Sequence, residues 1–180
     1  PNTLAQIYRL VERFQENILV LAHWGGGLFF YHLLKRDVKA RLRNVYFDTA
    51  ASPYLYDPAV YAVAVQTVGA EKILFGSDYP LLPPGRYFKE MEAAGLSARD
   101  REMICGWNAA RLLHPALQQA LSPTVIVENR PGASASIGAT AVAKSPPDGL
   151  TWLLTSETFL VSTLLLPNLP FDLQKDFEPV

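Results

Sequence analysis

Residues 18–27 read ILVLAHWGGG. An unbroken apolar run, Ile18 to Ala22, stops on a histidine and gives way to one tryptophan and three glycines. The run is short for a helix and reads as a strand buried on both faces. Two later runs share its grammar: Val45-Tyr46-Phe47-Asp48-Thr49 and Ile73-Leu74-Phe75-Gly76-Ser77-Asp78. Each strand closes on a polar residue, His23, Asp48 or Asp78. Helical patterns lie around them. Leu4, Ile7, Tyr8, Val11 and Phe14 recur at helical spacing behind a Thr3-x-x-Gln6 capping box. Residues 29–42 set Phe29, Phe30, Leu33, Leu34 and Val38 opposite Lys35, Arg36, Lys39 and Arg41. Asp57-Pro58 opens a helix that runs to Val68 and stops at Gly69. Further helices fall at 86–94, 97–104 and 107–113, with Ser97 and Asn108 as cap residues. Parallel strands joined by right-handed crossovers bring His23, Asp48 and Asp78 to one end of one sheet. In a (β/α)8 barrel that end carries the active site. Gly25–Gly27 would let a ligand approach bare backbone N–H groups there.

The bulk properties bound the function classes. The chain has 180 residues, 49% hydrophobic and 18% charged, with a net charge of −1. That balance suggests neither nucleic acid nor an anionic membrane as partner. No apolar run approaches the roughly 20 residues of a membrane span. One cysteine, Cys105, excludes an internal disulfide and a cysteine-based metal cluster; it reads as an inert buried thiol. His32, beside Lys35 and Arg36, reads as a surface residue, and His114 has no evident role. Trp24, Tyr54 and Tyr79 suit either a pocket mouth or core packing. No secretion signal is visible, which places the expected location in the cytoplasm.

Past residue 114 the character changes. Residues 1–114 carry an excess of Lys and Arg and most of the aromatics; residues 115–180 carry an acidic excess and denser prolines. Thr124–Glu128 reads as a strand, Asn129–Gly132 as a turn, Ser134–Lys144 as a small-residue helix, Pro146–Gly149 as a second turn and Leu150–Thr155 as a strand, which together make a βαβ unit. The expected organisation is two segments, 1–114 and 115–180.

Motifs in the first segment carry a resemblance. LAHWGGG, VYFDTAASP, ILFGSDYP and GWNAARLL, in this order, resemble the C-terminal part of the metal-dependent amidohydrolase family, in the branch of aminocarboxymuconate-semialdehyde decarboxylase and related hydrolases and decarboxylases. The resemblance implies an α/β fold: the last three βα units of a TIM barrel. It implies catalytic roles for His23, as acid/base or polarising group, and for Asp78, beside a divalent metal (zinc in complete members) and accepting the proton of its bound water. Trp24, Gly25 and Gly26 would touch a small carbonyl or carboxylate substrate. The family's other metal ligands are a His-x-His pair and a further histidine; the three histidines here, His23, His32 and His114, form no such pair. The chain alone is therefore expected to be inactive, and its exposed sheet edges to favour self-association.

The second segment resembles a different family. ENRPGA, IGA, VAK and PDG, within residues 116–180, are similar to the Bug-type solute receptors of tripartite tricarboxylate transporters. That implies part of one α/β lobe of a periplasmic-binding-protein-like fold, exported in its own family. Ser134, Ser136, Thr155 and Ser156 would hold a small carboxylate through helix-end N–H groups and hydroxyls. Two families in one chain suggest a fusion of two partial genes near His114-Pro115.

Overall fold

The structure is a computed structural model that describes residues 3–34, 36–78, 81–121, 124–128, 130, 136–155, 163 and 168–179. Three strands, β1 (Leu19–Leu21), β2 (Val45–Asp48) and β3 (Ile73–Leu74), form one parallel sheet in the order β1-β2-β3. The register sets Leu19 opposite Val45, Leu21 opposite Phe47, and Asp48 opposite Leu74. The order follows the chain. The chain divides into two units, Pro1–Leu112 and Leu113–Val180.

In the first unit, helix α1 (Leu4–Arg13) starts on the expected capping box: Gln6 N–H donates to Thr3 Oγ1 at 3.3 Å, and Thr3 N–H donates to Gln6 Oε1 at 2.8 Å. Helices α2 (Arg36–Arg41), α3 (Ser52–Leu55), α4 (Ala59–Val68), α5 (Pro84–Ala93) and α6 (Ala98–Glu102) follow, and α7 (Asn108–Leu121) begins in this unit. Asp57 Oδ1 accepts Ala59 N–H at 2.9 Å at the start of α4, and Ser97 Oγ accepts Asp100 N–H at 3.0 Å at the start of α6. The core gathers on one face of the sheet. Val45, Phe47 and Ile73 from the strands meet Val11, Leu28, Phe29, Val60, Tyr61, Ala64 and Met91 from the flanking segments. The opposite face is more open: Val20 is 48% exposed, and Tyr46 and Asp48 are half-buried.

Several expectations are corrected. Residues 29–42 do not form one helix. Tight 3₁₀ turns continue to Leu33, and the α-helix is confined to Arg36–Arg41, because the chain enters this region from a left-handed turn rather than a helical cap. The third strand pairs only at Ile73 and Leu74. Beyond it, Phe75 N–H turns to the Ile104 carbonyl at 3.0 Å, and the Thr49 hydroxyl stands in for a ladder bond, accepting Gly76 N–H at 3.1 Å and donating to the Gly76 carbonyl at 2.9 Å. The Asn108 side chain does not cap α7. It is buried, and its Nδ2 donates to the Ala70 and Ile73 carbonyls at 2.8 and 2.7 Å, tying α7 beneath β3. A π-helical turn, Met103–Trp107, joins α6 to α7, and the exposed Cys105 lies on it. Helix α7 continues through Pro115 to Leu121.

In the second unit only α8 (Ser136–Ala143) matches the expected βαβ pattern. Residues 124–128 and 150–155 form no strand among the described residues. Ile126, Leu150 and Leu154 are 83%, 81% and 59% exposed, so these apolar side chains are not packed against an apolar surface among the described residues. The lobe expected for residues 115–180 is not formed by the described residues.

His32 is a core residue rather than a surface one. It is 9% exposed, stands edge-on to Phe47, and its Nδ1 has no hydrogen-bond partner. Burial first, then the positive charges of Lys39 and Lys72, push its pKa below the ordinary 6.5. The unfolded chain thus takes up this proton before the folded one, and the folded state loses stability as pH falls through and below 6.5. Thermal denaturation between about pH 7.5 and about pH 5.5 should show this loss, and His32→Leu should flatten the slope.

Candidate functional site

The site is built where the three strands end. Residues His23, Trp24, Gly25, Gly26 and Gly27 have φ of 55°, 58°, 61°, 63° and 96°, a short left-handed turn. An L-residue in that conformation costs roughly 1–2 kcal/mol, and two of the five carry side chains. Each of those two is held. His23 N–H donates to Asp48 Oδ1 at 2.9 Å. The Trp24 side chain is fully buried against Phe29 and Tyr61, and its Nε1–H donates to Ser52 Oγ at 2.7 Å. Ser52 in turn donates to the Thr49 carbonyl at 2.5 Å. Gly25 is required twice over: a Cβ there would sit 3.2 Å from both Leu21 Cδ1 and Phe47 Cε1, besides its left-handed backbone.

The turn projects the His23 imidazole over the end of the sheet. Its Nδ1 lies 3.1 Å from the Ala50 carbonyl and 4.0 Å from Asp78 Oδ2. A carbonyl only accepts, so in the neutral ring Nδ1 carries the proton and Nε2 is the free basic nitrogen. The two side chains are 42% and 39% exposed, open to a ligand. Asp48 stands between their supports, its Oδ1 accepting both His23 N–H and Ala50 N–H, the latter at 3.0 Å. Ala51 and Asp78 also adopt left-handed backbone, with φ of 54° each. Four non-glycine residues in this unfavoured region therefore gather at one rim, the pattern of a site that the surrounding fold over-determines.

A family model now decides the ancestry of this rim: the one described as Amidohydrolase matches residues 1–114. The chain belongs to the amidohydrolase family. Among solved structures, 5-carboxyvanillate decarboxylase LigW from Sphingomonas paucimobilis is similar at TM-score 0.50 and 21% identity, covering 60% of this chain and 38% of that one; the likeness shows a shared fold. A second model, described as Tripartite tricarboxylate transporter family receptor, matches residues 109–180. A UPF0065 protein of Bordetella bronchiseptica is 47% identical over 72 residues, 39% of this chain and 22% of that protein. Protein BugT of Bordetella pertussis is 42% identical over 73 residues, again 39% and 22%. The chain thus spans about a fifth of the length of the curated relatives it matches.

Amidohydrolases are in general metal-dependent. Here the rim offers His23 Nε2 and the Asp78 carboxylate, while Asp48 Oδ1 is already engaged by two amides. No group of three or more His, Cys, Asp or Glu side chains among the described residues is placed to hold an ion. A tetrahedral site takes three or four protein ligands, so the residues present do not by themselves fit a metal.

The remaining expected site residues fare differently. Trp24, expected at a substrate, is fully buried and supports the turn from beneath; its place is in the core because its ring fills the space between Phe29 and Tyr61. Gly25 is likewise buried, whereas Gly26 is exposed beside His23. In the second unit, Ser136 opens α8 and Thr155 lies in an irregular segment. Ser134, Ser156 and Tyr79 lie outside the described residues. Sequence reasoning missed Ser52, the partner of Trp24; its position in the TAAS stretch directly after β2 is the signal that marks it.

Gly25→Ala should cost about 2–4 kcal/mol, left-handed strain plus overpacking against Phe47. Gly27→Ala, where a Cβ meets nothing within 4 Å, should cost only the strain, about 1–2 kcal/mol. Urea denaturation of the two variants checks the order.

Proposed function

We propose that residues 1–114 carry the acid–base rim of an amidohydrolase-type site acting on a small carbonyl or carboxylate compound, by hydrolysis or decarboxylation. The observation that carries this reading is the convergence of the His23 imidazole and the Asp78 carboxylate, 4.0 Å apart, from the segments that follow the first and third parallel strands. His23 Nε2 accepts or returns a proton at the reacting group, and the protonated ring polarises a carbonyl or steadies developing negative charge. Asp78, beside the ring, accepts the proton that an attacking water gives up. Exposed backbone at Gly26, with the open space beside Gly27, lets a flat substrate lie against the turn. Family membership and the shared fold support the reaction class at family level. With two donors at the rim, the 180 residues alone are inactive and take up no zinc ion tightly.

A second reading has its own support. Residues 109–180 match the receptor family, and the two matched ranges overlap only at 109–114, as a join between two ancestries would leave them. On that reading Ser134, Ser136, Thr155 and Ser156 form part of a binding surface for small carboxylates, and segments 1–114 and 115–180 are two partial domains fused near His114.

NMR titration of the 180-residue chain with small carboxylates and carbonyl compounds separates the two. Shifts of the His23 ring and Gly26 amide, abolished in His23→Gln, are expected. Shifts confined to Ser136 and Thr155 would overturn the rim reading in favour of the receptor one. Calorimetry with Zn²⁺ should show no tight one-to-one binding; a tight site lost in Asp78→Asn would refute the claim of inactivity.

A further inference from the structure

Tyr87 lies on α5, apart from the loops that form the rim, and its side chain is completely buried. Its hydroxyl accepts Ala51 N–H at 3.0 Å and donates to the Ser77 carbonyl at 2.6 Å. Ala51 directly follows Ala50, whose carbonyl holds His23 Nδ1. Ser77 directly precedes Asp78. One hydroxyl therefore ties the loop after β2 to the segment after β3, one residue away from each contact that sets the His23–Asp78 separation. Both tied points adjoin left-handed backbone, at Ala51 and at Asp78, which needs support from outside the loop. The ring cannot drift: Phe75 meets it edge-on, with centroids 5.6 Å apart. Burial pushes its phenol up to about 12, so the proton stays on the oxygen at neutral pH.

We propose that Tyr87 is a positioning residue for the His23–Asp78 pair, its hydroxyl fixing the distance between the two groups by clasping the loops that carry them. The inference rests on the reading of that pair as an acid–base site. Thr49 also joins the two segments, through Gly76, but two residues short of Asp78; the Tyr87 hydroxyl joins them at the residues next to Ala50 and Asp78.

Tyr87→Phe keeps the ring and removes the clasp. In NMR of the full 180-residue chain, the Ala51 amide should exchange about tenfold faster, the scale of one lost hydrogen bond, and the His23 ring signals should move. Val68→Ala opens a cavity in α4 away from both loops; it should lower stability without moving the His23 ring signals. In the wild-type chain, with no substitution at all, the Tyr87 hydroxyl proton should be slow to exchange and show a cross-relaxation peak to the Ala51 amide. His23 signals unchanged in Tyr87→Phe, or moved equally by Val68→Ala, would overturn the proposal, as would absence of that hydroxyl peak. None of these readouts uses turnover or a ligand, so they decide the role of Tyr87 even where carboxylates leave the rim unmoved.

Discussion

Asp48 Oδ1, at the C-terminal end of the central strand, accepts two backbone amides, from His23 on one side and Ala50 on the other. Charge-assisted bonds of this kind are roughly twice as strong as neutral ones. The first amide belongs to a residue in left-handed conformation; the second leads to the carbonyl that holds the His23 ring. Because β2 is the middle strand, its register with β1 and β3 fixes where this carboxylate stands relative to both neighbours. The rim thus inherits its geometry from strand pairing through one oxygen atom.

The left-handed turn is costly, and the fold offsets that cost locally. Strain at His23 and Trp24 is of order 2–4 kcal/mol together. Against it stand the Asp48 bond, the buried Trp24–Ser52 bond and complete burial of an indole, the last contributing on the order of 2–3 kcal/mol by itself. Trp24 thereby does for the turn what a substrate-facing residue could not: its side chain points into the core, and the neighbouring His23 is driven outward. The alternation is a consequence of the turn, and it explains why the histidine and the tryptophan, adjacent in sequence, have opposite environments.

Much of this was legible in the sequence. Apolar runs closing on His23, Asp48 and Asp78 placed three parallel strands and brought three polar residues to one end of the sheet, because burial on both faces and right-handed crossover leave few alternatives. The Thr3 and Ser97 caps were legible because their chemistry is local. What local patterns did not carry was anything decided at long range. His32 has charged sequence neighbours yet packs against Phe47, since the 3₁₀ path after Gly27 rotates its face inward. Asn108 has the composition of a cap, but Ala70 and Ile73, distant in sequence, claim its amide. Tyr87 offered no signal beyond being a tyrosine where a phenylalanine would fill the same space.

The two units also differ in what their sequences can complete. In the first, strand residues on one face of the sheet are matched by helix residues that bury them, so Val45, Phe47 and Ile73 are all within 1% of full burial. In the second, residues of equal apolarity, Ile126, Leu150, Trp152 and Leu154, lie outside any helix or strand and stay exposed. A strand gains little until another strand pairs with it and a layer covers it. High local identity to a UPF0065 protein, 47% over 72 residues, therefore coexists with the absence of paired strands among the described residues: sequence likeness preserves the residues that would pack, while packing requires the surfaces they would meet. The sheet of the first unit sits between these cases, covered on one face and open at Val20 and Tyr46 on the other. Its rim can hold its shape because the contacts that define it run among β1, β2, β3 and α5, all of which are present and paired, rather than across the uncovered face.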